Sequence, residues 1–315
     1  MESRYFYKKN MKRKSTVTIG IPAYNEEANI GKLIKSLLSQ KQESFVLEKI
    51  IVVSDGSTDK TEGMVLAIRN PKIHLIKNSQ RLGQPKTQNL IVKESQSDIL
   101  VFINADVLPK GDNFLEEIIK PFNKDKKVGI VGANTMSAKP RTFFEKVIVT
   151  GREFKKSIYM QITVGTTVYL CHGRGRAFSK ELYKKIQWPD DCAEDAYSYF
   201  FCITNGFKFK FSENSTVIFR SPSNLSGHKK QSDRFVEGKK NLERHFNKNL
   251  INSQYHIPLS IFFKQLSRNI VKNPVELPIY FMIVFYLKVI RKISNSVDRS
   301  GNYSLWQVTV SSKKI

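Results

Sequence analysis

The sequence predicts an α/β fold built on a mostly parallel sheet flanked by helices, and three observations carry this prediction. Short apolar runs rich in β-branched residues alternate along the chain with segments whose apolar residues recur at helical spacing, a pattern that favours parallel strands with right-handed crossovers. The run Ile99–Ile103 is apolar at five successive positions, as in a strand buried on both faces of a sheet. Two polar residues, Asn104 and Asp106, follow it directly, at the edge where such sheets bind ligands.

The other strands and helices are predicted from the same periodicities. Strands are expected at residues 16–21, 50–53, 73–76, 128–133 and 207–211, and a long helix at 143–160. The helix after the first strand has apolar residues at i, i+3, i+4, i+7 and i+8. We expect Asn25 to cap it, because Glu26 and Glu27 then fall in the first turn, where the helix dipole favours carboxylates. A helix through Leu90 and Ile91 leads to the central strand.

Oxygen-bearing side chains follow three of the predicted strands and define a candidate binding site. They are Tyr24, Asn25 and Glu26 after the first strand, Asp55 after the second, and Asn104 and Asp106 after the central one. Each group alone is equally well explained as a turn or a helix cap. The carboxyl ends of parallel strands meet at one edge of a sheet, so we expect the three groups to converge. A carboxylate at Asp106 can there hold a hard divalent cation against a diphosphate.

Phosphate recognition has to come from a cation and basic side chains. The chain has neither the G-x-G-x-x-G of dinucleotide-binding folds nor the G-x-x-x-x-G-K-[ST] of P-loop proteins. Arg174 and Arg176 alternate with glycines, which lets guanidinium groups approach a phosphate closely, although a solvated turn explains this stretch equally well. His172 precedes them, and a single histidine beside a turn is a weaker candidate for a catalytic base than a carboxylate.

The densest acidic cluster of the chain is Asp190, Asp191, Glu194 and Asp195, directly before an apolar segment of helical character. We expect Asp190 or Asp191 to cap this helix, with Glu194 and Asp195 in its first turn. Adjacent helical residues point about 100° apart. The last two carboxylates therefore cannot face one site as a pair, and the two-carboxylate geometry of glycoside hydrolases is not supported.

The composition changes after Ser221. Residues 228–248 are rich in lysine and arginine around Gln231 and Arg234, which is typical of a solvated basic helix. The most apolar run, at 278–287, is shorter than the roughly 20 residues that span a bilayer. We expect a helix at the membrane interface there, with a buried core helix as the alternative.

The overall composition limits the class of partner. A net charge of +24 over 315 residues implies polyanionic partners, either nucleic acid, an anionic membrane or phosphorylated substrates. The three cysteines, Cys171, Cys192 and Cys202, contain no C-x-x-C pair, which favours a reducing compartment and argues against a structural zinc site. Residues 1–14 are basic and contain no apolar segment, so we expect a tail rather than a secretory signal.

These motifs, in this order, resemble those of the family 2 glycosyltransferases. That family has the GT-A fold and transfers a sugar from a nucleoside-diphosphate donor, usually with inversion. The resemblance covers residues 16–240. Its motifs are TVTIGIPAYNEEANIGKLIKSL with the later IIVVSDGSTD, then Arg81-Leu82-Gly83 with Asn89, Asn104-Ala105-Asp106 at the position of D-x-D, the pair Glu194-Asp195, and Gln231-Ser232-Asp233-Arg234-Phe235 at the position of Q-x-x-R-W.

The resemblance implies a role for each matched residue. Asp106 is the implied ligand of Mg²⁺ or Mn²⁺, and Asp195, beside Glu194, is the implied catalytic base. Asn104 replaces the first aspartate of the family motif and brings no charge, which weakens the affinity for metal. The residues implied in donor binding are Pro22, Tyr24, Glu26 and Asp55 for the base and ribose, Lys86, Arg174 and Arg176 for the diphosphate, and Asn104, Gln231 and Arg234 close to them. The resemblance also implies that the basic element at 228–248 lies over the diphosphate or the acceptor.

We therefore expect an inverting, metal-dependent glycosyltransferase. It would transfer a sugar from a nucleotide-diphosphate sugar to a hydroxyl of a lipid-linked or cell-envelope glycan. We expect it in the cytoplasm, peripheral or monotopic at the inner face of the cell membrane, with an anionic membrane surface as a further partner. The expected parts are a basic tail at 1–14, a GT-A domain at 15–248 and a helical, membrane-associated extension at 249–315.

Two alternatives remain open. A nucleotide-sugar-binding pseudoenzyme is the nearer one, because Asn104 departs from the family motif. The other is a non-catalytic basic protein that binds nucleic acid or an anionic membrane. The sequence shows no RNA-recognition signature with paired aromatics, so we do not expect nucleic acid as a partner.

Overall fold

A computed structural model describes residues 13–162 and 166–294, and these form one eight-stranded sheet with helices around it. The strands are β1 Ser15–Ala23, β2 Phe45–Asp55, β3 Ile73–Asn78, β4 Ile99–Ile103, β5 Val107–Pro109, β6 Val128–Ser137, β7 Gly175–Ser179 and β8 Lys208–Phe219. The helices are α1 Ile30–Leu38, α2 Thr61–Leu66, α3 Gln84–Glu94, α4 Phe114–Lys124, α5 Phe143–Tyr159, α6 Lys180–Tyr183, α7 Glu194–Thr204, α8 Leu225–Leu242, α9 Lys248–Gln254, α10 Leu259–Lys272 and α11 Glu276–Ser294. Most of the predicted basic tail, 1–12, and residues 295–315 of the predicted extension lie outside the described residues.

The first four strands confirm the predicted parallel sheet. They run parallel in the order β3-β2-β1-β4. All five residues of β4 are buried, because successive side chains enter different cores on the two faces of the sheet. Val101 and Ile103 pack in one apolar cluster, whereas Leu100 and Phe102 pack in the other. The packing on both faces therefore holds the carboxyl end of β4 in place, between the carboxyl end of β1 and the start of β7.

The remaining strands add antiparallel pairs to this sheet. β7 lies antiparallel between β4 and β6, and its first residue, Gly175, pairs with Ile103 at the end of β4. β8 pairs parallel with β6 and antiparallel with the short β5. This arrangement brings Arg174, directly before β7, to the same sheet edge as Asn104 and Asp106.

Both predicted helix caps are wrong. The first helix, α1, begins at Ile30 after Asn29, whereas Asn25 adopts a left-handed φ of 52°, which asparagine tolerates better than most residues. The Oδ1 atom of Asn25 accepts a hydrogen bond from the Thr58 amide at 2.8 Å, so Glu26 and Glu27 belong to a loop packed against the β2–α2 connection.

The acidic cluster before α7 also differs from the prediction. The residue that caps α7 is Ala193, and neither Asp190 nor Asp191 takes that place. The carboxylate of Asp191 instead accepts a hydrogen bond from Arg244 and lies 2.9 Å from Nε2 of His245. These contacts fix the end of α8 to the loop before α7. Glu194 and Asp195 do fall in the first turn, as predicted.

The apolar run at 278–287 lies within α11, which packs with α10 on α5. The inner face of α11 is buried, since Leu277 and Tyr280 join a third apolar cluster with Phe154. Gly151 permits this close packing, because a Cβ atom there would collide with the Tyr280 ring. The outer face exposes Met282, Val284, Phe285, Tyr286, Val289 and Ile293. Among the described helices, none is long and apolar enough to cross a bilayer.

The predicted domain boundary at 248 stays a prediction. Ile251 of α9 packs in the same apolar cluster as Phe200 of α7, with Tyr255 against it. The first residues of the predicted extension thus pack against α7, which lies within the predicted GT-A domain. The three cysteines are buried and free.

Candidate active site

A cavity of about 490 Å³ opens at the carboxyl ends of β1, β2 and β4. Its volume is in the range of small-molecule and cofactor sites. Eleven of the site residues predicted from the sequence line it: Pro22, Tyr24, Glu26, Asp55, Asn104, Asp106, Arg174, Glu194, Asp195, Gln231 and Arg234. Lys86, Arg176 and Asn25 do not line it, and the ammonium of Lys86 lies 2.9 Å from the carboxylate of Asp190.

Asp55 fixes the loop that forms one wall of the cavity. Its Oδ1 atom accepts a hydrogen bond from the Leu82 amide at 2.8 Å, and its Oδ2 atom accepts one from the Gly83 amide at 2.9 Å. The same loop places the guanidinium of Arg81 4.1 Å from the centroid of the Tyr24 ring. Sequence reasoning assigned no role to Arg81, and the contact of Asp55 with a nucleotide base stays a prediction.

The end of β4 forms the acidic corner of the cavity. Asn104 and Asp106 are half-buried there. Two arginines approach Asp106, Arg174 from the loop before β7 and Arg234 from α8. Burial lowers the pKa of both guanidiniums, and the charge of Asp106 partly offsets this effect in each. The corner thus combines one carboxylate with two cations, which suits a negatively charged ligand that brings a metal ion with it.

Asp195 is held in the first turn of α7. Its Oδ2 atom accepts a hydrogen bond from the Gly173 amide at 3.3 Å. Two buried side chains hold this turn in place. Arg176 and the indole of Trp188 both donate hydrogen bonds to the carbonyl oxygen of Glu194, at 2.9 and 3.1 Å. Arg176 is fully buried and serves this turn, so its expected contact with a phosphate is wrong.

Glu194 is a buried carboxylate beside Asn104. Burial, followed by the charge of Asp195, raises the pKa of Glu194 to about 7. A Cβ atom on Gly173 would lie 3.0 Å from Oε1 of Glu194 and 3.7 Å from Nδ2 of Asn104, so this glycine lets the loop pass close to both. Within the described part of the chain, no group hydrogen-bonds Oε2 of Glu194.

His172 is a poor general base in this structure. Burial, followed by the charges of Arg174 and Arg152, lowers the pKa of its imidazole to about 3. The imidazole of His172 is therefore too weakly basic to take a proton from an acceptor hydroxyl efficiently. This environment is consistent with the lower rank of His172, relative to Asp195, as a candidate base.

The basic helix predicted around Gln231 is α8, and it forms a side of the cavity. Gln231 and Arg234 both line the cavity. Gly238 allows α8 to approach the start of α7, since a Cβ atom there would lie 2.7 Å from Cβ of Ala193. Asp233, on the same helix, accepts a hydrogen bond from Nε of Arg291 at 3.0 Å, which links α8 to α11.

Sequence reasoning missed the wall formed by α5. Arg152, Lys155, Lys156 and Tyr159 all line the cavity. Their spacing of three and four residues places them on one face of a helix, so the signal was present in the sequence. Aromatic residues continue this wall, because the rings of Tyr159 and Tyr169 stack with centroids 4.2 Å apart.

Comparison with known proteins decides the family. The model of the family described as "Glycosyl transferase family 2" matches residues 18–187, more than half of the chain. The chain belongs to glycosyl transferase family 2. The resemblance found in the sequence motifs is thereby confirmed.

Curated relatives of this chain differ in their substrates. One is a dolichyl-phosphate beta-glucosyltransferase of Trichomonas vaginalis, 31% identical over 150 residues, which are 43% of this chain and 46% of the relative. Another is the poly-beta-1,6-N-acetyl-D-glucosamine synthase of Staphylococcus aureus, 23% identical over 226 residues, 70% of this chain and 54% of the relative. The chain thus spans about half the length of these curated relatives.

Solved structures confirm the GT-A fold of this chain. A mannosyltransferase from Pyrobaculum calidifontis, in complex with GDP-Man and Mn²⁺, matches with a TM-score of 0.58 and 19% identity, over 91% of this chain and 77% of that one. The S. aureus protein TarS, in complex with UDP-GlcNAc, matches with a TM-score of 0.53 and 18% identity, over 66% of this chain and 59% of that one.

The acidic corner of the cavity fits a divalent cation that is shared with a ligand. Among the described residues, no group of three or more histidine, cysteine, aspartate or glutamate side chains could hold a metal ion alone. Asp106 offers one carboxylate, Asn104 an amide oxygen, and the buried Oε2 of Glu194 lacks a hydrogen-bond partner nearby. Hard cations such as Mg²⁺ and Mn²⁺ accept these oxygens and complete their shell with phosphate and water.

Proposed function

We propose that the protein is an inverting glycosyltransferase that uses a nucleotide-diphosphate sugar and transfers the sugar to a hydroxyl of a lipid-linked or cell-envelope glycan. The observation that carries this proposal is the joint placement of Asp106 and Asp195 in one cavity. One carboxylate lies at the end of a strand with two arginines around it, and the other lies in a rigid helical turn. Asp106 and its two arginines can then act on the donor, while Asp195 acts on the acceptor.

Each group has a defined part in a single displacement. Asp195 takes the proton of the acceptor hydroxyl while the hydroxyl oxygen forms its bond to the anomeric carbon. The bond from that carbon to the diphosphate breaks in the same step. Arg174 and Arg234 stabilise the negative charge that grows on the departing diphosphate. Asp106, with Asn104, would hold a divalent cation whose chemistry is electrostatic stabilisation of that same charge. Tyr24, Glu26 and Asp55 orient the nucleoside, which supplies the positioning part of catalysis.

A thermal-shift panel of nucleoside diphosphates tests the donor class. We expect one diphosphate to raise the midpoint of unfolding by about 5 °C or more at saturating concentration, because ligand binding stabilises the folded state. Mn²⁺ should enlarge this shift of the midpoint, and the matched nucleoside monophosphate should produce a smaller shift than the diphosphate. If no diphosphate shifts the midpoint with or without Mn²⁺, the donor assignment is lost. Metal-dependent binding without any sugar transfer would favour the pseudoenzyme alternative.

We infer further that α10 and α11 bind an anionic membrane surface. Their outer faces expose large apolar side chains, among them Phe263 and Val271 on α10 and Phe285 on α11, at 60%, 79% and 68%. Lysines and arginines flank these positions in both helices. Such amphipathic helices bind at the interface, where each basic residue adds about 1 kcal/mol. Attachment there would place the cavity close to a lipid-linked acceptor.

Liposome binding tests this attachment without removing a helix. Truncation before α11 would uncover the groove on α5 that holds Tyr280, so surface substitutions are the cleaner choice. We expect Phe285→Gln with Val271→Gln to weaken sedimentation with anionic vesicles and to leave thermal stability nearly unchanged. The matched control is Leu66→Gln on α2, which is 61% exposed on another face. Equal vesicle binding by the control and the double variant would refute the assignment of this surface.

A further inference from the structure

A second cluster of basic side chains borders the cavity, and apart from Arg174 its members have no part in the mechanism above. We define the cationic lobe as Arg152 and Lys155 of α5 with His172 and Arg174 of the loop before β7, all of which line the cavity. Within the described residues, none of its arginine or lysine side chains forms an ion pair with a carboxylate. Glu153 also borders the cavity, but its side chain is exposed.

The lobe holds like charges close together. The guanidinium carbons of Arg152 and Arg174 each lie 4.0 Å from the centroid of the Phe219 ring. Burial, and then the charge of Arg174, lowers the pKa of Arg152 to about 9. Two neighbouring cations in a partly desolvated site repel each other, and this repulsion is relieved when an anion joins them.

Buried nitrogen atoms around the lobe lack acceptors. They are Nε of Arg152, Nδ1 of His172 and Nδ1 of His228, for which no partner exists among the described groups. His228, on α8, is close enough to Lys155 and Arg152 that their charges add to burial in lowering its pKa to about 4. Buried polar atoms in native proteins almost always have a partner. An anion with several oxygens would supply acceptors for the arginine and for whichever imidazole nitrogens carry a proton.

The lobe adjoins the corner proposed for the donor diphosphate and shares Arg174 with it. The charge of Asp106 acts on Arg174 and Arg234, whereas the largest effects of charge on Arg152 come from Arg174 and Glu153. Arg174 therefore stands between the two places, with Arg152 and Lys155 beyond it on α5. Next to them, the stacked rings of Tyr159 and Tyr169 offer an apolar wall.

We propose that the cationic lobe binds a phosphoryl group carried by the acceptor, so that this transferase acts on a phosphorylated acceptor. The proposal rests on the proposed function, because it assigns the acceptor side of the same cavity. Guanidinium and ammonium groups together suit the oxygens of a phosphate monoester or diester. The aromatic wall then accommodates the sugar or alkyl part next to that phosphate. The phosphoryl group itself is not transferred; it positions the acceptor for attack.

Calorimetric titration tests the lobe with the donor site already filled. The full chain is saturated with Mn²⁺ and the diphosphate that the thermal-shift panel selects, and is then titrated with glycerol 3-phosphate or with dodecyl phosphate micelles. Dodecyl maltoside serves as the neutral control. We expect a phosphorylated probe to bind, and Arg152→Gln or Lys155→Gln to weaken that binding about tenfold, the loss expected for one charge-assisted hydrogen bond. Affinity for the diphosphate should stay within about twofold.

The outcomes separate this proposal from the proposed function. Binding of glycerol 3-phosphate supports a small phosphorylated acceptor, and binding of dodecyl phosphate alone supports a lipid phosphate. The proposal is overturned if neither probe binds, if Lys120→Gln on the distant α4 has the same effect, or if Arg152→Gln weakens diphosphate binding instead. Should no diphosphate bind in the panel, the proposed donor function fails. Titration with the phosphorylated probes in the absence of nucleotide would still show whether the lobe binds a phosphoryl group. If Arg152→Gln does not fold, Lys155→Gln decides.

Discussion

Asp195→Asn should lower turnover by about two orders of magnitude or more while the affinity for the donor barely changes. The substitution keeps one side-chain oxygen that can accept the hydrogen bond from the Gly173 amide, so the first turn of α7 should persist. What it removes is the basic oxygen that takes the proton of the acceptor. Steady-state kinetics with saturating donor, together with donor binding by calorimetry, would separate the loss of catalysis from a loss of binding.

Glu194→Gln is the matched control for that experiment. The pKa of Glu194 is raised to about 7, so at pH 6 the carboxyl is mostly protonated and a glutamine resembles it. We therefore expect a small effect of Glu194→Gln at pH 6 and a larger one above pH 8, where the wild-type side chain is ionised. If Glu194→Gln abolished turnover at pH 6 and Asp195→Asn remained active, the base would be Glu194.

The strands and the acidic corner could be predicted because they depend on local patterns. A run of five apolar residues followed by Asn104 and Asp106 fixes a buried strand and the chemistry at its end. Lys86 could not be placed in the same way. It lies in the first turn of α3, and its direction depends on Asp190, which is distant in sequence. Pairing with that carboxylate is a tertiary contact with no local signal.

The two helix caps failed for a related reason. Asn25 and Asp191 have side chains that cap helices well, but both found other partners, Thr58 in one case and Arg244 with His245 in the other. Capping preference is worth about 1 kcal/mol, so contacts between distant segments can outweigh it. The wall on α5 was missed although its spacing was visible, because a mixed helix does not reveal which of its faces borders a cavity.

The largest effect on donor binding is expected from Asp106→Ala. Asp106 supplies the only full carboxylate of the family motif in this chain, since Asn104 stands at the other position. Without it, the ratio of diphosphate affinities measured with and without Mn²⁺ should fall to about one. The component of binding that does not need metal should persist, because Arg174 and Arg234 lose a competing carboxylate and remain available to the phosphates.

Two further variants make this test specific to the acidic corner. Asn104→Asp restores the second carboxylate and should strengthen the Mn²⁺-dependent part of binding, in the opposite direction to Asp106→Ala. Asp112→Ala removes a carboxylate that is paired with Lys41 on the surface and should change neither part. Circular dichroism would confirm that each variant is folded. If Asp106→Ala kept its full response to Mn²⁺, the cation would be held elsewhere, and Glu194 would be the next carboxylate to examine because it lies beside Asn104 in the same cavity.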